Sequence, residues 1–355
     1  KDHYSFRRNV VHDIVRQEVA AVRNGVGIMD ISAFTKVEVT GPTAAPFLDR
    51  LIANRLPRKI GSIVLTHLLN RRGRIEIELT VVRLTENSFY LICAAVFEQR
   101  LIDHLNHYLV ENDLEIVVQS NKWSAIAVQG PKSRVVLAAN TDAQLNNSGF
   151  RWLTARSITV AGYPVWALRM SYIGELGWEL HGPRQNMLSV YDALWTSAQA
   201  YDVADYGSFA MNTMRMEKMF KGIGELTNEV TLPEAGVMRF VKMDKDEFIG
   251  KAETENSLER ELPWVCAYLR IESDGVADGH GGEAVLFEGN VVGSITSVAY
   301  GHRVGSVLAF AYIKPYAARP GTMLQIMITG SLRSAHVLSQ PAYDPDNVLL
   351  QSDAT

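Results

Sequence analysis

Apolar residues recur at helical spacing where the chain first shows a clear pattern. Val15, Val19 and Val22 alternate with Arg16, Glu18 and Arg23, so residues 11–26 read as an amphipathic helix ended by Gly25 and Gly27. Residues 36–40 then alternate strictly, which is the mark of a half-buried strand. Gly41-Pro42 is a turn, and Thr43 is placed to cap a helix over 44–54. Residues 63–70 and 75–83 read as strands of one hairpin across Arg71-Arg72-Gly73, with a further strand over 89–94 and an amphipathic helix over 98–112. Strands follow at 115–119 and 123–129, a short helix at 133–139, strands at 158–160 and 165–170, and helices at 187–200 and 209–220. This rhythm of strands and helices predicts α+β modules with helices on one face of each sheet. Beyond Gly250 the texture changes. Short strand patterns at 265–271, 283–287, 290–297, 306–313 and 323–329 are separated by Gly-rich turns, with no long helix. The expected organisation is therefore residues 1–250 in two α+β modules and 251–355 in a β-barrel or sandwich, joined through the charged segment 242–261.

Composition narrows the function classes. The chain has 355 residues, and two or three structural units are expected at that length. It is 47% hydrophobic and 21% charged with a net charge of −4, proportions of a globular protein without a basic footprint for nucleic acid. No apolar run reaches about 18 residues, so no membrane helix is expected. The polar start at Lys1-Asp2-His3-Tyr4-Ser5 does not read as a signal peptide, and the two cysteines, Cys93 and Cys266, fit a reducing compartment. No G-x-G-x-x-G, P-loop, nucleophile elbow or zinc spacing is present, and His104 and His107 read as a solvated helix face. Chemistry is expected from acid–base groups acting on a bound small molecule.

Four segments are candidates. In Ser171-Tyr172-Ile173-Gly174-Glu175-Leu176-Gly177-Trp178-Glu179-Leu180 the glycines suggest a hairpin with Tyr172 and Glu179 on its two arms. A phenol and a carboxylate could together hold the amidine-like edge of a heteroaromatic ring, or the segment is simply a tight turn with a surface acid. Glu76, Glu78 and Thr80 share one face of a predicted strand. If that face lines a cavity, burial raises the Glu78 pKa into a useful range; otherwise the acids are solubilising. Arg215 in Met214-Arg215-Met216-Glu217 is either a buried, paired cation or ordinary helix surface. Thr296–Arg303 is either a binding loop or a strand turn.

Taken together, SYIGELGWEL with VTGP (39–42), the 69–81 hairpin, AVQGPKS (127–133), MRME (214–217), PEAG (233–236), FIGK (248–251), TSVAYGHRVG (296–305) and Tyr343-Asp344-Pro345 resembles, in order, the folate-binding aminomethyltransferase superfamily. That superfamily includes the glycine-cleavage T-protein and the C-terminal half of dimethylglycine and sarcosine dehydrogenases. The resemblance implies a three-module cloverleaf, two ferredoxin-like α+β modules and a C-terminal β-barrel, around tetrahydrofolate. It places Glu78 at the position of the catalytic acid, Tyr172 and Glu179 at the pterin, and Arg215 near the acid with a part in both tasks. The implied activity is one-carbon transfer forming 5,10-methylenetetrahydrofolate, with a folate-dependent demethylase forming 5-methyltetrahydrofolate, or a non-catalytic folate module, as alternatives. A methylated amine or related one-carbon donor is the implied substrate and a flavoprotein dehydrogenase the implied partner. The implied location is the cytoplasm, or the mitochondrial matrix in a eukaryote. Leu65 and Ile77-Glu78 depart from the T-protein pattern, which has Tyr and an Asp pair there, and the sequence leans towards the dehydrogenase group, although Ile223 stands where that group often has an aromatic residue. Those dehydrogenases carry a flavin domain before this region. No nucleotide fold is read here, so a standalone relative, a subunit or a fragment is expected.

Overall fold

The computed structural model describes residues 7–8, 10–110 and 113–353; Lys1-Asp2-His3-Tyr4-Ser5 and the expected helix end at 111–112 lie outside them. In chain order the strands are β1 (Gly27–Asp30), β2 (Thr35–Thr40), β3 (Ile63–Leu69), β4 (Ile75–Arg83), β5 (Ser88–Cys93), β6 (Glu115–Val118), β7 (Trp123–Gln129), β8 (Ala155–Val160), β9 (Tyr163–Leu168), β10 (Gly177–Pro183), β11 (Ala204–Asp205), β12 (Val265–Ile271), β13 (Ala284–Phe287), β14 (Asn290–Gly301), β15 (Ser306–Ile313), β16 (Met323–Ile328) and β17 (Ser331–Leu338). The helices are α1 (His12–Asn24), α2 (Ala44–Leu51), α3 (Glu98–Tyr108), α4 (Ser133–Ala138), α5 (Arg184–Ala198), α6 (Ser208–Glu217), α7 (Leu232–Ala235) and α8 (Lys251–Glu259). They build the α+β architecture expected: a five-stranded sheet β3-β4-β5-β2-β6, a six-stranded sheet β11-β1-β7-β10-β9-β8, and a closed six-stranded barrel β12-β15-β14-β13-β16-β17.

Each α+β sheet buries one face under a pair of helices. Ile77, Leu79 and Val81 of β4 alternate along the strand and pack against Phe47, Leu48 and Leu51 of α2 and Leu101 and Leu105 of α3. In the second sheet Val128, Trp178 and Leu180 meet Leu137 of α4 and Val190 and Leu194 of α5. The opposite faces of the two sheets turn towards each other. Ile63, Val82, Tyr90 and Ile92 of the first pack against Ala155 and Leu168 of the second in one cluster. The barrel follows the same rule on a closed surface: Leu324, Ile326 and Ile328 of β16 point in, and Met323, Gln325 and Met327 point out.

Four local expectations are corrected. Thr43 stands at the N-cap of α2, but its side chain makes no cap bond; the hydroxyl turns instead to the Asp113 carboxylate. The charged connection is partly helical, because α8 forms there with only Thr254 and Ser257 buried, too few for an apolar period to show. β1 and β17 are absent from the sequence reading. β1 is a four-residue stretch that gains its pairing from the distant β7 and β11, while the eight-residue β17 pairs with the distant β12 and, across a tight turn, with β16. His104, expected on a solvated face, has its ring against Tyr108, and burial lowers its pKa.

Candidate active site between the two sheets

Cross-strand register decides which side chains share the inter-sheet space. Leu65, Thr80, Ile92 and Lys36 lie in one row across four strands, and His67 and Glu78 face each other one row further along. These are the positions that alternate with the helix-facing core, so they point at the second sheet. On that sheet Met29, Ala127, Glu179, Leu168 and Ala155 form the matching row. Leu168 shares one buried cluster with Val82 and Tyr90, which places Glu179, its neighbour in the row, on the face that looks towards the sheet of Glu78.

Glu78 is half-buried, its side chain 30% exposed, and the charges around it are mostly positive. Burial raises its carboxyl pKa from the ordinary value to about 7; the Arg215, Arg239 and Lys221 charges oppose the rise, and Glu225 adds to it. Among the described residues the Glu78 side chain makes no hydrogen bond, and its Oε1 lies 4.0 Å from His67 Nε2. Tyr172 shares this group: its ring stacks 6.2 Å from Phe220, its hydroxyl donates to the Lys221 carbonyl at 2.6 Å, and burial raises its pKa. Arg215 is buried, not on the helix surface. Its guanidinium donates to Asn212 Oδ1 at 2.9 Å, the Phe220 carbonyl at 2.9 Å and Glu225 Oε2 at 3.0 Å. Glu225 in turn accepts from the Gly222 N–H and from Thr296 Oγ1 of the barrel, both within 2.9 Å. Arg215 thus pins the 220–225 loop beside Glu78 and bears on the acid through its field.

Glu179 anchors a second group. Its Oε2 lies 3.3 Å from His181 Nε2, and His181 Nδ1 lies 3.2 Å from Tyr90 Oη of the first sheet. One tautomer satisfies both contacts, with Nε2–H donating to Glu179 and Nδ1 accepting from Tyr90. Lys36, fully buried, donates to the Ser32 and Phe34 carbonyls, and burial lowers its pKa to about 8 against the pull of Asp30, Glu98 and Glu179.

The expected tight hairpin holding Tyr172 and Glu179 is not formed. Residues 171–176 are a bent loop, and β10 begins at Gly177 and pairs with β7 and β9. Tyr172 therefore belongs to the Glu78 group and Glu179 to the Lys36–Tyr90 group. Gly174 does adopt a positive φ of 81°, while Gly177 serves close approach: a Cβ there would sit 2.7 Å from the Val128 carbonyl. Glu175, between them, is structural. It meets Arg23 Nη1 at 2.8 Å, and Arg23 Nη2 meets Glu217 at 2.7 Å in a fully buried network closed by the Tyr343 hydroxyl. The 296–303 segment is strand and turn: Thr296 lies within β14, and the Arg303 N–H donates to Glu217. Sequence reasoning missed His67, Lys36, Tyr90, His181 and Glu225. Each takes its place from strand pairing or loop closure across tens of residues, which leaves no local signal.

Family models were matched over two stretches: the GCVT N-terminal domain over residues 2–245 and the glycine cleavage T-protein C-terminal barrel domain over 265–344. The chain belongs to the glycine cleavage T-protein family. An aminomethyltransferase of Streptomyces coelicolor is 32% identical over 92% of this chain and 89% of its own length. The mitochondrial dimethylglycine dehydrogenase of Mus musculus is also 32% identical, over 98% of this chain. A formaldehyde-forming 4-methylaminobutanoate oxidase of Paenarthrobacter nicotinovorans is 30% identical over 96% of it. This chain spans 41% and 42% of the length of those two proteins. The fold is that of the glycine cleavage system aminomethyltransferase T of Bartonella henselae, with a TM-score of 0.85 at 22% identity, covering 97% of this chain and 94% of that one. No helix among the described residues is long and apolar enough to cross a membrane.

Proposed function

We propose that this T-protein-family chain is a tetrahydrofolate-dependent one-carbon transferase that forms 5,10-methylenetetrahydrofolate, with Glu78 as its acid–base group. The observation that carries the reading is a half-buried carboxyl, its side chain 30% exposed, with no hydrogen-bond partner among the described residues and a pKa raised to about 7, on the sheet face that looks into the space between the two sheets. The residues present fit a reduced pterin. Among the described residues Glu179 keeps one oxygen without a partner, for a ring N–H or amino group, and its other oxygen is held by His181. Tyr172 and Phe220 offer a stacked aromatic wall near Glu78. When bound, tetrahydrofolate supplies two amine nitrogens able to share one carbon at the formaldehyde level. Glu78 holds or releases the proton that such a transfer displaces, and the surrounding cations keep part of its population ionised at neutral pH. Burial between the sheets excludes water and retains a reactive one-carbon donor.

A donor at the formaldehyde level, such as one derived from a methylated amine, is favoured over direct methyl transfer by the formaldehyde-forming oxidase among the relatives. A flavoprotein dehydrogenase is the partner this reading calls for, as the dehydrogenases among the relatives suggest. Calorimetric titration with tetrahydrofolate tests binding. Glu78→Gln should bind within about threefold of the parent chain and lose roughly 10²–10⁴ in turnover with formaldehyde. Absence of binding by the parent chain refutes the reading, and unchanged turnover in Glu78→Gln removes Glu78 from the chemistry. A 5-methyl product would replace the transferase with the demethylase.

A further inference from the structure

His67 is the one group facing Glu78 directly, and its state is unusual. The two residues oppose each other in the β3–β4 register, and His67 Nε2 lies 4.0 Å from Glu78 Oε1. His67 is fully buried, its ring 6.1 Å from Phe240, and neither ring nitrogen has a hydrogen-bond partner. Two orphaned nitrogens on one buried side chain carry a cost that a leucine of similar size would not. We propose that His67 is a positioning residue for Glu78, a neutral imidazole that hydrogen-bonds the acid in whichever protonation state the reaction cycle presents. This inference rests on the role assigned to Glu78 above.

The chemistry suits the placement. Burial drives the His67 pKa down to about 3, so the ring stays neutral and keeps one N–H donor and one acceptor nitrogen. A carboxylate at Glu78 takes a bond from the N–H; a protonated Glu78 gives one to the bare nitrogen after a tautomer exchange. The gap is about one ångström longer than a hydrogen bond, a distance that rotation of the Glu78 side chain can close. The other charged groups around Glu78 are Arg215 on α6, Lys221 and Glu225 on the following loop, and Arg239 on the turn beside Phe240. Arg215 is committed to Glu225, and Lys221 and Arg239 supply field without a hydrogen bond to the acid. Only His67 is placed to aim the carboxyl.

The test uses His67→Leu and His67→Gln in the whole chain. The protonation of Glu78 is followed by difference infrared titration, with the carboxyl band assigned through Glu78→Gln. In His67→Leu the Glu78 titration should move up by roughly one pH unit, because the charge-assisted bond lost by the carboxylate is stronger than the neutral bond lost by the protonated acid. In His67→Gln, which keeps a donor and an acceptor, it should return most of the way. His67→Leu should melt at the parent temperature or above, while kcat with tetrahydrofolate and formaldehyde falls about tenfold or more and KM for tetrahydrofolate changes little. A Glu78 titration unmoved in His67→Leu overturns the proposal. So does a lowered melting temperature in both variants, which marks His67 as a packing residue. If the parent chain does not bind tetrahydrofolate, the proposed function fails while the infrared shift still decides the pairing.

Discussion

Replacing Arg23 by Met removes the cation at the centre of a buried ion network while nearly conserving side-chain volume. Arg23 meets Glu175 at 2.8 Å and Glu217 at 2.7 Å, donates to the Ile173 and Met214 carbonyls, and lies 4.1 Å over the Tyr343 ring. At an effective dielectric constant of 20 each ion pair is worth about 6 kcal/mol of Coulomb energy, most of it offset by the cost of removing three charges from water. What the variant exposes is different: two carboxylates left in the interior. Glu175 would keep the Tyr343 hydroxyl and Glu217 the Arg303 N–H, both at 2.7 Å, which softens the loss without replacing the charge. The expected destabilisation is about 3–5 kcal/mol, a large share of the ~5–15 kcal/mol that holds a typical protein folded. Its pH dependence has a definite sign. Burial, opposed by Arg23 and Tyr343, already holds the Glu175 carboxyl above its ordinary pKa. Without Arg23 it rises further, so the folded state binds protons more tightly than the unfolded chain. Stability then falls as pH climbs from the unfolded carboxyl value through the folded one. Denaturant unfolding followed by tryptophan fluorescence should show a larger deficit against the parent at pH 8 than at pH 5. A deficit below about 1 kcal/mol, or one equal at both pH values, would refute the network as a structural centre.

Two further substitutions probe the scaffold. Thr231 and Glu234 form a reciprocal capping box at α7, with the Thr231 N–H and hydroxyl donating to Glu234 Oε2 at 2.7 and 2.8 Å; Thr231→Ala should cost about 1 kcal/mol in the same unfolding assay, and a neutral result would discount the cap. A Cβ on Gly293 would fall 2.0 Å from the Tyr312 carbonyl in the adjoining barrel strand, so Gly293→Ala should destabilise the protein by about 1–3 kcal/mol or more, and a variant with the parent melting temperature would show that β14 can shift to make room.

How much of the site was legible varies residue by residue. Glu78 could be placed on the polar face of its strand from alternation alone, because Ile77, Leu79 and Val81 claim the other face. Whether that face met solvent or a second sheet was not local information; only the packing of Val82 and Tyr90 on Leu168 decides it. Arg215 was ambiguous for a similar reason. Its neighbours in sequence, Met214 and Met216, are buried on other sides of the helix, and its own burial comes from a loop and a barrel that arrive later in the chain. The hairpin imagined at Gly174 and Gly177 failed because β10 finds better partners in β7 and β9 than in the residues just before it.

By itself, then, the sequence determined most of the elements, the α+β and barrel classes, and through its ordered motifs the family, since periodicity and turn chemistry are written in residues a few positions apart. The tertiary structure alone decided that Glu78 is paired across the ladder with a buried His67, that Tyr172 and Glu179 stand in separate groups of one inter-sheet space, and that Glu175 and Glu217 hold the fold together. Those facts depend on strand register and on burial by distant segments, and desolvation, which raises the Glu78 pKa, exists only once the distant segments have closed over it.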